Sequence, residues 1–203
     1  GYFSFIYNSS NLDNPPKSFD ELANRNDIRI IIMDPRTSTP GLGLAKWIYQ
    51  LKGEQSKIFW ISLQDQIVIT AKSWSDGYGL FLEGEGDAVL SYTTSPAYHA
   101  IAESDENYKA MLFQDGHAEQ IEVMAMLKSA PNKKLAKKFI SFAISKGFQD
   151  HIPFGNWMYP VIDGLEGSSD FYKFAPMPIS LDRVYATKKD KDLWIESWSS
   201  SID

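Results

Sequence analysis

"RIIIMDPRTSTPGLGLAKWIYQL" spans residues 29–51, and its reading decides the fold. Segment 29–33 is a short apolar run that reads as a buried strand. Segment 40–51 places Leu44, Trp47, Ile48 and Leu51 on one helical face. Thr39 suits the helix N-cap and Pro40 the first helical position. A strand, a Ser/Thr/Gly-rich loop and a helix form the unit with which α/β proteins meet anions. The loop "DPRTSTPGLG" (34–43) lacks the lysine of a nucleotide P-loop, because Lys46 lies well inside the helix. Asp34 and Arg36 could contact a ligand, but Asp34 before a proline reads more often as a turn former and Arg36 more often as a surface ion-pair partner.

The same alternation continues in both directions. Strands are predicted at 2–7, 67–70, 88–93 and 121–127, and helices at 18–24, 75–82, 96–102 and 132–145. Ser18 is placed to cap its helix, with Glu21 at the capping-box position. Leu193, Trp194 and Trp198 mark a last helix. Strands separated by helical segments imply parallel crossovers, hence an α/β fold with its ligand crevice beyond the carboxyl ends of the strands.

Three strand ends share one chemistry. "RTSTPG", "AKSWSDGYG" and "TTSPAYH" each follow a strand and open a helix. Any one of them reads simply as a good cap, with Ser73 or Ser75 and then Ser95 as the capping residues. Together they aim three sets of free backbone N–H groups at one crevice. Trp74, Tyr92 and Tyr98 sit at these ends, and the loop "IPFGNWMYPV" adds Asn156 and Trp157. Helix N-termini favour an anion, whereas aromatic faces favour a flat or cationic group. A ligand with a cationic ring and a hydroxyl or phosphate arm suits both.

Composition narrows the class. The 203 residues carry 43% apolar and 23% charged residues, enough for a packed core. The net charge of −6 argues against a nucleic-acid partner. There is no cysteine, so disulfides, thiolate metal sites and a cysteine nucleophile are excluded. His99, His117 and His151 show no metal-ligand spacing, and no metal site or cofactor is expected. No G-x-S-x-G elbow is present.

"DPRTSTPGLG", "SWSDGYGLFLEGEGD", "LSYTTSPAYH" and "GNWMYPV", in this order, resemble the thiamine-binding proteins of bacterial ABC importers. "GYFSFIYN" and "NPPKSFDEL" fit the same pattern, so the likeness runs from residue 1 to about 161. It implies a type II periplasmic-binding-protein-like fold with a central, mostly parallel sheet flanked by helices. It also implies a non-enzymatic, extracytoplasmic protein, periplasmic or lipid-anchored, that delivers thiamine or its phosphates to a membrane permease. Residues matching Ser38 lie at the hydroxyethyl or phosphate end, those matching Trp74 and Tyr92 line the site, and those matching Tyr98 and Trp157 flank the rings. Thr37, Thr39, Ser95 and Asn156 are further candidates from local chemistry. Two departures stand out: Ser73 replaces the usual glycine before Trp74, and Phe154 stands where a small residue is usual.

The alternatives are a binder of another small cationic ligand or a metal on the same fold, or an enzyme of thiamine metabolism. The enzymes that resemble these binders use a cysteine, which this chain lacks. Acidic clusters for a polyamine are not evident in the crevice. Two complete lobes need on the order of 250–300 residues. The resemblance, whose crossover strand between lobes matches 1–7, further implies that residues 1–118 form the second lobe, entered by that strand. Residues 119–152 are expected to be a return segment of the first lobe, and 153–203 a hinge loop and helices back on the second. On that reading the chain binds thiamine weakly, and its helix at 132–145 seeks a partner, with a homodimer as one outcome.

Overall fold

The computed structural model describes residues 1–165 and 169–202. Residues 166–168 and 203 of the expected 153–203 segment lie outside the described residues. The strands are β1 (Phe3–Asn8), β2 (Ile30–Met33), β3 (Ile67–Ala71), β4 (Ala88–Tyr92) and β5 (Tyr108–Ala110). They form one sheet in the order β3-β2-β4-β1-β5. Strand β2 lies parallel to β3 and β4, whereas β1 runs antiparallel to both β4 and β5. The sheet is therefore mixed, with a single reversed strand inside it.

Helices α1 (Phe19–Ala23), α2 (Thr39–Lys52), α3 (Ser56–Leu63), α4 (Trp74–Leu82) and α5 (Ser95–Ala102) alternate with these strands. Beyond them come α6 (Lys133–Ala143), α7 (Lys146–Gln149), α8 (Ile152–Gly155), α9 (Ser169–Phe174) and α10 (Lys188–Ser199). Helix α4 packs on β2, β3 and β4, and α2 on β1, β2 and β4. All four residues of β2 are buried, so both faces of that strand are covered, as a near-continuous Ile run requires. No helix among the described residues is long and apolar enough to cross a membrane.

The core is aromatic at one end. Phe19 meets Trp47 edge-on at 4.5 Å and Phe113 at 4.9 Å, while the Trp47 indole N–H donates to the Gly116 carbonyl at 2.8 Å. Buried His117 locks this corner. Its Nδ1–H donates to the Phe3 carbonyl at 2.7 Å, and its Nε2 accepts the Phe113 amide at 2.8 Å. Only neutral imidazole can do both. Burial accordingly lowers its pKa below the ordinary value. The unfolded chain then binds the extra proton first, so this contribution is complete above about pH 6.5 and is lost as pH falls below it. The denaturant midpoint is expected to drop between about pH 7.5 and about pH 5.5, and His117→Gln is expected to lower stability while flattening that drop. An unchanged pH slope in the variant would assign the acid sensitivity elsewhere.

Several local expectations are corrected. Segment 121–127 is not a strand; it runs irregularly with Val123 88% exposed. Among the described residues no strand pairs with it to take its backbone hydrogen bonds, and β-structure does not form without a partner. The N-cap of α2 is Ser38 rather than Thr39, and that of α5 is Thr94 rather than Ser95; neither makes a side-chain cap bond. Ser18 does cap α1, but the Glu21 carboxylate accepts the amide of Lys17 at 2.7 Å, one residue before the capping-box position. Helix α3 and strand β5 were not anticipated: α3 is short, and β5 has only three residues.

Candidate functional site

A cleft of about 610 Å³ opens at the carboxyl end of β4, between the starts of α4 and α5 and the loop after α8. Of the expected site residues, the fold brings Trp74, Tyr92, Ser95, Tyr98, Asn156 and Trp157 to its walls. Ser38, Thr37 and Thr39 are not among the lining residues; their loop reaches the cleft through Pro40.

Each wall has a local cause. Ser73 caps α4 by accepting the Asp76 amide at 3.2 Å, so the residue standing in place of glycine ends the preceding turn and starts the helix at Trp74. The Trp74 indole N–H donates to Ser91 Oγ at 2.8 Å, and Ser91 Oγ lies 2.7 Å from Ser95 Oγ. This hydroxyl pair ties the ring to the end of β4. Trp74 packs on Tyr78, one helical turn later, at 5.0 Å and 33°. A second stretch of the lining sets Tyr98 edge-on against Trp157 at 5.3 Å. Trp157 holds a left-handed backbone with φ 54, uncommon for a bulky residue. Phe154 meets the Trp157 ring edge-on at 6.3 Å.

Loop 34–43 is built for close packing. Asp34 organises its turn: the Thr37 and Ser38 amides donate to its carbonyl, and Arg36 forks onto its carboxylate at 2.6–3.1 Å. Arg36 also stacks over Trp198 at 5.2 Å, which pins the loop to α10. The Thr37 hydroxyl donates to the Lys72 carbonyl at 2.7 Å, bracing the neighbouring strand end. A Cβ on Gly41 would lie 2.3 Å from the Met33 carbonyl oxygen, and one on Gly43 would lie 2.0 Å from Phe3. These glycines let α2 rest directly on the sheet.

Electrostatics favour a cation. Glu103 and Glu122 both line the cleft, which corrects the expectation of a crevice poor in acids. Asn156 Nδ2–H reaches the Glu122 carboxylate at 3.4 Å. Tyr92 donates its hydroxyl to Gln120 Oε1 at 2.7 Å, and burial pushes its pKa up to about 12, so it stays a neutral donor. Tyr78, His99, Glu103, Glu122 and Met158 are lining residues that the sequence reading missed. Trp74/Tyr78 and His99/Glu103 are helical i,i+4 pairs, a spacing that could have revealed them. Glu122 lies in the segment misread as a strand and gave no signal.

Residues 1–173 match the family described as bacterial extracellular solute-binding protein. The chain is 43% identical over 211 residues to the thiamine-binding periplasmic protein of Salmonella typhimurium, covering all of this chain and 62% of that protein. It is 43% identical over 204 residues to the protein of the same name from Escherichia coli, again at 100% and 62% coverage. A solved periplasmic thiamin binding protein superposes with a TM-score of 0.90 at 42% identity, over 100% of this chain and 64% of that one. The chain thus spans about 62% of the length of these curated relatives.

Proposed function

Because the chain belongs to the bacterial extracellular solute-binding proteins, we propose that it takes part in binding thiamine, or its mono- or diphosphate, for an ABC importer. Its working place on this reading is the periplasm, or the outer face of another envelope, and its partner there is a membrane permease. The carrying observation is the cleft itself. Trp74 and Tyr98, 39% and 40% exposed, both line it, with Trp157 beside Tyr98 and Glu122 also on the lining. Aromatic faces suit an aminopyrimidine and a cationic thiazolium, and the carboxylate adds attraction for the positive ring. The hydroxyl or phosphate arm would point toward Pro40 and the start of α2, where unpaired helix N–H groups and the Ser38 hydroxyl are nearest in sequence.

Within this reading, residues 1–118 and 153–203 belong to one lobe and 119–152 to a segment of the other. Support comes from the single sheet of β1 to β5 and from α6, whose Leu135, Phe139 and Phe142 are exposed. That apolar face is where a second lobe would pack, and the expected homodimer would use the same face.

Titration of thiamine, thiamine monophosphate and thiamine diphosphate against intrinsic tryptophan fluorescence tests the proposal. Trp74 and Trp157 are expected to be quenched at saturation, with a dissociation constant of micromolar or weaker, because half-exposed rings contact the ligand from one side. No change with any of the three at about 1 mM ligand, near the weak limit of specific binding, would overturn it.

A further inference from the structure

We infer that buried His99, held by the half-exposed Glu103 at the cleft, is a positioning hub that sets both aromatic walls at once. The walls come from different stretches of chain: Trp74 from α4, Tyr98 from α5 and Trp157 from the loop after α8. His99 touches both sides of this arrangement. Its ring is fully buried, and its Nδ1 lies 2.6 Å from Glu103 Oε2. An ionised carboxylate only accepts, so Nδ1 carries the proton. On the other side Nε2 lies 2.8 Å from the Tyr78 hydroxyl, and the two rings stack at 5.8 Å and 11°. Burial keeps the Tyr78 hydroxyl protonated, so Tyr78 donates and Nε2 accepts. Tyr78 in turn carries the Trp74 ring at 5.0 Å.

The second arm leaves the same imidazole. The Tyr98 ring stands edge-on to His99 at 5.4 Å and 75°, and its far side meets Trp157 at 5.3 Å. Tyr108 closes the hub from below, stacked on His99 at 3.9 Å. One carboxylate therefore fixes one imidazole, and that imidazole fixes Tyr78 under Trp74 and Tyr98 against Trp157. Glu103 acts through His99 and also holds the Tyr98 hydroxyl directly, so both contacts of this carboxylate lead to the aromatic walls.

The inference rests in part on the proposed function, so it is tested with and without ligand. In the full chain labelled with 5-fluorotryptophan, Glu103→Ala is expected to shift the 19F resonances of Trp74 and Trp157 together. Those of core Trp47 and Trp60 should stay in place. In the thiamine titration, Glu103→Ala is expected to weaken binding about tenfold, the scale of a lost charge-assisted hydrogen bond. Glu103→Gln offers the same acceptor to His99 Nδ1–H and is expected to recover most of that loss and both resonance positions. Unmoved Trp74 and Trp157 signals in Glu103→Ala would overturn the hub even if thiamine binds. A Glu103→Gln variant as defective as Glu103→Ala would overturn it too, because charge and not positioning would then matter. If thiamine fails to bind the parent chain, the functional reading falls while the ligand-free spectra still decide the hub.

Discussion

Trp74→Ala and Trp157→Ala are each expected to weaken thiamine binding by about 100-fold, the scale of an aromatic hot-spot residue. Both residues line the cleft. The loss combines stacking area on the flat ligand rings with the attraction of the indole face for a cationic thiazolium. Stability should change little for Trp74→Ala, because the ring is 39% exposed. Trp74→Phe separates two contributions. It keeps a face but removes the N–H that reaches Ser91 at 2.8 Å, so an intermediate loss is expected. Trp157→Ala is the sharper test of the ring itself. Alanine keeps a Cβ at the left-handed φ of 54, so the backbone cost is retained while the side chain goes. Isothermal titration with a parallel thermal melt reads both quantities. Affinities within about threefold of the parent chain, below hot-spot scale, would remove these residues from the binding surface.

Gly41→Ala and Gly43→Ala are expected to destabilise the fold by about 3 kcal/mol each, the upper range for overpacking. Helix propensity alone predicts the opposite sign, because alanine outranks glycine by about 1 kcal/mol in a helix interior. Contact geometry decides. The new methyl at Gly41 meets backbone, 2.3 Å from the Met33 oxygen and 2.8 Å from two Asp34 atoms, so α2 itself must move. At Gly43 the obstacle is the Phe3 ring at 2.0 Å. Phe3 is buried and stacks on Tyr92 at 5.3 Å, so a displaced Phe3 presses on a ring that lines the cleft. Gly43→Ala should therefore also weaken ligand binding, whereas the double variant with Phe3→Leu should recover stability beyond additivity. Denaturant midpoints check this, and a midpoint that rises in either single variant would show that propensity prevails over contact.

The two glycines illustrate what could be read and what could not. "PGLG" signalled a special backbone need, but a phosphate loop and a close helix–sheet contact ask for the same residue. Only the tertiary contacts distinguish them: the Met33 and Asp34 backbone over Gly41, and at Gly43 the ring of Phe3, forty residues away in sequence. Ser38, Thr37 and Thr39 looked alike as polar loop residues. In the fold Thr37 is consumed by the Lys72 carbonyl and Ser38 is the uncapped N-cap, while only Pro40 reaches the cleft. The aromatic candidates fared better, since Trp74, Tyr92, Tyr98 and Trp157 all reach one cleft. Large rings placed directly after strand ends have few other places to go in an α/β fold.

The sequence by itself determined the alternation of strands and helices, because the 3.6 and 2.0 periods of apolar residues are local properties. It also determined the family, through motif order, and the absence of cysteine chemistry. It did not determine the direction of β1, the irregular course of 121–127 or the carboxylates of the cleft. Those belong to tertiary structure alone. Strand direction depends on which edge a neighbour offers, and a potential strand without a partner stays irregular. A carboxylate's role depends on what faces it across the fold. For Glu103 that is an imidazole one turn back on its own helix, buried because α4, β5 and α5 converge upon it.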